Sequence, residues 1–179
     1  AYDTYVGGSS NEHKRIGVVS LNKTYAQVLN NTDDFSFNKL DFTVEFWIRF
    51  ISLGEQELVI AKNSSGTSVW KFTASSDGKI NFITSGLTVS SAASTYSATT
   101  WHHIEMSKSS SNYYLFVDGV SKGTGSSSNA LSNVSSFTIG STMGFEGNID
   151  GLRILKGSAL HNTTTTFTPS ADAYNAPSA

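Results

Sequence analysis

The sequence predicts an all-β protein built as a two-sheet antiparallel sandwich. Three observations carry this. Apolar and polar residues alternate with period two over several short stretches, and no stretch sustains a helical period. Ser, Thr, Asn and Gly are abundant while charged residues make up only 15%, a composition suited to short strands joined by polar turns. Asp-Gly pairs at Asp77-Gly78 and Asp118-Gly119 supply residues that tolerate the positive φ of tight reversals.

Taken in order, residues 1–20 read as an N-terminal arm or a first strand, in which Ile16, Val18 and Val19 follow a Gly-Ser turn. Residues 25–29 read as a short strand and 30–34 as a turn. Residues 41–51, DFTVEFWIRFI, alternate most cleanly: Phe42, Val44, Phe46, Ile48 and Phe50 on one face, Thr43, Glu45, Trp47, Arg49 and Ile51 on the other. Five such apolar side chains contribute on the order of 10 kcal/mol before entropy is set against them, which makes this strand central and Phe46→Asp the most damaging single change. Residues 58–62 follow as a strand, then a turn at 63–66. Residues 69–74 and 79–84 form a hairpin around Asp77-Gly78, and 90–100 is a polar connection.

Residues 101–119 read as another hairpin, with Ile104 and Met106 facing one way and His103, Glu105 and Ser107 the other. Ser109 to Asn112 supply its turn. Leu115 and Val117 then share a face opposite Tyr114 and Phe116. Asp118-Gly119 starts a third strand of a meander, and 121–136 is a Ser/Gly-rich loop. Residues 137–140 and 149–155 complete about ten strands, and the chain from Gly157 onward is irregular.

A chain of 179 residues is long enough for one domain with a substantial core. It has no cysteine, which excludes disulfides and thiolate metal sites. A net charge of −2 argues against a nucleic-acid partner. No apolar run approaches the roughly 18 residues of a membrane span, so the chain is expected to be soluble, without membrane insertion.

Four motifs in order, DFTVEFWIRF (41–50), WHHIEMSKSSSNYYLFVDGV (101–120), FTIG (137–140) and GNIDGLRILKGSAL (147–160), resemble laminin G-like domains of the concanavalin A-like jelly-roll superfamily. The tail TTTFTPSADAY (164–174) is similar to the close of the version found in bacteriophage tail and other virion proteins. The resemblance implies a jelly roll over residues 21–174, flanked by the arm at 1–20 and a tail at 175–179. It also implies a concave face or rim loops that bind glycans and sometimes Ca²⁺, and it does not imply catalysis. On it rest the expectations of a non-enzymatic virion-surface or extracellular module, a host-surface glycan as partner, other virion subunits as neighbours, and a homo-oligomer left open. A decoration protein that only assembles is the alternative, and a cellular lectin or adhesion domain the third reading.

The candidate ligand-binding residues are Glu45, Trp47, Arg49, His103, Glu105 and Tyr114, on the face opposite the core with Phe116. Aromatic rings stack on the apolar side of a pyranose while polar neighbours bond its hydroxyls. The same residues equally suit cross-strand pairs that stabilise the sheet. Glu45 and Glu105 are the pair to weigh for glycoside cleavage, which needs carboxyls roughly 5–10 Å apart. The Glu, Asp and Glu at alternate positions of one strand that mark the superfamily's glucanases are missing. The metal question is open: Asp33, Asp34 and Asp150 are available for Ca²⁺ but form no dense acidic motif. His102 and His103 point to opposite faces, and His13 and His161 have no partner visible in the sequence.

Overall fold

The computed structural model describes residues 19–29, 33–141 and 144–170. Within them lie twelve strands: β1 (Val19–Asn22), β2 (Tyr25–Leu29), β3 (Phe42–Phe50), β4 (Gln56–Lys62), β5 (Ser68–Ala74), β6 (Ile80–Thr84), β7 (Leu87–Ser90), β8 (Trp101–Ser109), β9 (Asn112–Val117), β10 (Val120–Ser126), β11 (Ser136–Gly140) and β12 (Glu146–Lys156). They form two six-stranded sheets, β1-β12-β3-β8-β9-β10 and β2-β11-β4-β5-β6-β7, antiparallel throughout. No described residue lies in a helix, and so no helix is long and apolar enough to cross a membrane.

The core fills the space between the sheets. Phe42, Val44, Phe46, Ile48 and Phe50 of β3 are fully buried in it. Across the interface Phe46 meets Phe72 edge-on at 5.2 Å, and Trp70, Phe82 and Phe137 extend the aromatic layer. The buried indole of Trp70 satisfies its N–H by donating to the Phe35 carbonyl at 3.0 Å. Strand β3 is the third of its sheet, flanked by β12 and β8, as its alternation predicts.

The two Asp-Gly turns differ. Asp118 and Gly119 both have positive φ, +53° and +74°, the two-residue turn joining β9 to β10. The β5–β6 hairpin uses five residues instead. Ser75 N–H donates to the Lys79 carbonyl, and only Gly78 takes positive φ (+80°).

Two expectations change. The third strand of the meander, expected after Asp118-Gly119, is β10, and it runs on through residues 121–126, expected to open a loop; a bulge between Ser121 and Gly123 keeps it in register with β9. Strand β7, four residues long, was not anticipated. The two strands meet where the sheets close on each other. A Cβ on Gly123 would collide with the Ser90 carbonyl, and one on Gly125 would lie 2.9 Å from Val89 Cγ2. The glycines that make residues 121–126 look like a loop are what allow β7 to approach. The arm expected at 1–20 falls outside the described residues apart from Val19 and Ser20 in β1, as does His13.

Candidate functional site

Register brings the predicted residues onto one face, the outer face of the first sheet. Glu45 lies opposite Glu105 on β8 and Arg153 on β12; Trp47 opposite His103 and Asp150; Arg49 opposite Trp101 and Asn148. Phe116 faces Glu105, and Tyr114 faces Ser107. Residues directly opposite across a ladder share a face, so these side chains form a continuous patch.

Most of the patch is covered. The chain beyond β12, residues 157–170, runs back over it as a strap, a role its irregular sequence does not announce. Small hydroxyl residues receive its first half: Thr43 and Ser107, opposite each other, bond at 3.0 Å. Thr43 Oγ1 also donates to the Ser158 carbonyl at 3.1 Å and accepts the Leu160 N–H at 2.9 Å. The His161 ring then stacks on Phe167 with centroids 3.6 Å apart and planes 4° from parallel, while Phe116 meets Phe167 edge-on at 5.2 Å. The Phe167 N–H donates to the Gly119 carbonyl at 3.0 Å; a Cβ on Gly119 would drive into the Phe167 carbonyl. Trp47 Nε1 donates to the Ser170 carbonyl at 3.1 Å. His161, without a partner in the sequence reading, finds one in Glu105, 2.9 Å from its Nδ1.

The charges under the strap are arranged in sequence across the strands. Arg153 bonds Glu45, and His103 Nε2 lies 3.0 Å from the other Glu45 oxygen. Burial works to raise the Glu45 carboxyl, but the hydrogen bond to His103 and the charge of Arg153 outweigh it, so Glu45 stays below its ordinary value. Glu105 is fully buried beside it, and burial reinforced by the negative Glu45 pushes its carboxyl up to about 8. Burial lowers the His161 imidazole. Both shifts favour the uncharged forms, a protonated carboxyl beside a neutral ring, which avoids placing a second anion against Glu45.

Two carboxyls with values driven apart are what a glycoside-cleaving site needs. Here Glu45 is occupied by Arg153 and His103, and Glu105 lies fully buried under His161. Glu105 ties the sheet to the strap through His161, and Glu45 ties β12 to β8 through Arg153 and His103.

A second constellation has the order of a catalytic triad. His102 Nδ1 lies 2.8 Å from Asp118 and its Nε2 lies 3.2 Å from Ser97 Oγ. The Ser97 backbone N–H, however, donates to the same Nε2 at 3.1 Å and takes the lone pair a general base would use. Asp118 also accepts the His103 N–H at 2.9 Å. The chain of bonds ties the loop 91–100 to the Asp118-Gly119 turn.

Among the described residues, nothing covers one end of the patch beyond the strap. There Trp101, Arg49, Asn148 and Ser20 form a row across β8, β3, β12 and β1. Trp101 is 39% exposed, and Trp47 and Asp150 border the row. The Arg49 Nε donates to the Thr99 carbonyl at 3.0 Å, and Asn148 Nδ2 donates to Ser20 Oγ at 2.6 Å. Sequence reasoning included Trp47 and Arg49 and missed Trp101 and Asn148. The signal for Trp101 was parity: it lies two residues before His103 on the same strand. Among the described residues no three His, Asp or Glu side chains converge to hold a metal ion. Asp33 sits at a positive-φ turn position (+60°), and Asp150 accepts the Gly151 N–H at the β12 bulge.

A family model described as the concanavalin A-like lectin/glucanases superfamily, laminin G type, matches residues 22–163. No curated protein sequence matches the chain. Among solved structures, domains LG4-5 of the mouse laminin α1 chain superpose with a TM-score of 0.63 at 18% identity, covering 90% of this chain and 48% of that one. A leech intramolecular trans-sialidase gives 0.64 at 16%, covering 84% and 26%, and the binding domain of botulinum neurotoxin serotype D gives 0.62 at 14%, covering 83% and 40%. This chain thus spans about half the laminin fragment and about a quarter of the trans-sialidase. At these identities the likeness is one of fold.

Proposed function

The chain belongs to the concanavalin A-like lectin/glucanases superfamily as a laminin G-like domain, and from that premise we propose that it is a non-enzymatic module that binds carbohydrate at the open end of its first sheet. The observation that carries the proposal is the row of Trp101, Arg49 and Asn148 on three adjacent strands, with Trp47 and Asp150 beside it. A tryptophan face takes the apolar side of a sugar ring, and guanidinium, amide and carboxylate bond its hydroxyls from a rigid sheet. Trp47 and Arg49 keep the binding role expected of them. His103 and Glu105 act by meeting Phe167 and His161 of the strap, Glu45 acts by tying β12 to β8 beneath it, and Tyr114, farther along the face, is a secondary contact.

Binding of the purified chain to a glycan array, with and without Ca²⁺, tests this beside Trp101→Ala. Selective binding that the variant loses supports the site; binding the variant retains moves it elsewhere. We place the module on a virion surface or in the extracellular space, supported by the likeness of the 164–174 tail to virion proteins. Detecting the chain by mass spectrometry in purified particles supports the virion location, and absence from them removes it. Assembly with other subunits is the second reading, favoured by the exposed edge strand β2.

A further inference from the structure

Residues 157–170 form no strand or helix, and most of their side chains meet solvent. Isolated contacts hold them to the first sheet in place of a ladder. Leu160 donates its N–H to Thr43 Oγ1 at 2.9 Å, His161 to Ser107 Oγ at 3.3 Å and Phe167 to the Gly119 carbonyl at 3.0 Å. A segment held this way opens at a lower free energy than a strand laddered on both sides. Within the same run His161 Nδ1 lies 2.9 and 3.0 Å from the two Glu105 oxygens, and the Glu105 side chain is wholly buried.

The groups that face Glu105 come from every element around it. Glu45 of β3 lies directly opposite, with Arg153 of β12 and His103 of β8 bonded to it. Strand β9 contributes Phe116, which carries no charge, and the strap contributes His161. Arg153 already answers the charge of Glu45, so a carboxylate at Glu105 would be a second buried anion beside the first.

We propose that the strap is a proton-held latch: it stays docked while the Glu105–His161 pair keeps one proton between its two side chains, and it lifts from the sheet when that proton leaves. Lifting uncovers Phe116 and His103 and frees Trp47 from its bond to the Ser170 carbonyl. Trp47 borders the open row, so the uncovered ground continues it. The direction of the pH effect follows from both partners. Docked Glu105 keeps its proton to about 8 against 4.5 when released, while burial lowers the docked His161 ring from 6.5. Below 6.5 the two act in opposite senses. Above it only Glu105 of the pair still titrates, and docking weakens by about tenfold per pH unit until 8.

Hydrogen exchange by NMR on the purified chain, from about pH 6 to 9, tests this at the Leu160, His161 and Phe167 amides, with Phe46 of β3 for comparison. Protection is taken relative to an unstructured peptide at the same pH. The strap amides should be less protected than Phe46 throughout, and their protection should fall by up to about thirtyfold between pH 6.5 and 8 and then level off. Glu105→Gln, which keeps a partner for His161 but has no proton to lose, should hold that protection level. Thr43→Val, nearly the same shape, removes a strap contact and no titrating group, so protection should drop at every pH while the slope remains. Strap amides as well protected as Phe46 overturn the proposal, because the strap would then leave only with the whole fold. So does a flat wild-type profile, a slope that survives in Glu105→Gln, or one that Thr43→Val abolishes.

Discussion

The two ends of one sheet face share a sequence pattern and have opposite fates. At one end Glu45, His103, Glu105 and Phe116 are buried beneath residues 157–170; at the other Arg49, Trp101 and Asn148 meet solvent. Both ends are polar residues mixed with aromatics at every second position of the same strands. The difference lies in what the strap finds to bind. Thr43, Ser107 and Gly119 offer hydroxyls and space for an incoming backbone, whereas Arg49 and Trp101 project bulk and charge. Polar aromatic strand faces thus serve either to hold a segment of their own chain or to receive a ligand.

The largest expected effect erases the comparison by removing the core beneath both ends. Phe46→Asp should cost on the order of 5 kcal/mol or more and abolish the cooperative melt followed by circular dichroism. Next, Glu45→Ala leaves Arg153 and His103 facing each other under the strap, and should cost about 3–5 kcal/mol in urea denaturation. Arg49→Ala at the open end should stay below about 1 kcal/mol. Equal costs would remove the distinction between the two ends.

The pH dependence sharpens it further. Unfolded Glu105 ionises near 4.5, but in the fold it keeps its proton to about 8, so over that window the native chain holds one proton more than the unfolded one. Its contribution to stability is fully present below 4.5 and is lost as pH rises through 8. His161 and Glu45 are both lowered, so their titrations act below 6.5. Between pH 6.5 and 8 wild type should lose up to about 2 kcal/mol, and Glu105→Gln should flatten that slope. A wild-type curve already flat there would show that the buried carboxyl is not neutral.

Smaller effects test the strap and the open row. Phe167→Ala should cost about 1–2 kcal/mol, since the ring is only half-buried, and should speed protease cleavage within residues 157–170 more than elsewhere. Trp101→Ala should change stability by no more than about 0.5 kcal/mol while removing glycan binding. A large stability loss there would mark Trp101 as structural.

Strand parity was readable from the sequence. The inward row of β3, the alternation through 103–107, and Leu115 and Val117 against Tyr114 and Phe116 all stand in the fold, because a pleated strand shows its two faces in every pair of neighbours. Strands with little apolar content were readable only in part: the Asp118-Gly119 reversal announces β10, but its two glycines hide its length, and the four-residue β7 gives no signal of its own. Both exist because each lies against the other.

By itself, then, the sequence determined the all-β class, the central strand, the core row and the residues that share the outer face, since each follows from a period of two residues. Tertiary structure alone decided which part of that face is covered. The strap reaches Thr43 from Leu160, Glu105 from His161 and Trp47 from Ser170, contacts separated by 117, 56 and 123 residues. A local pattern fixes the direction in which a side chain points, and only the distant chain that folds over it settles whether it meets water.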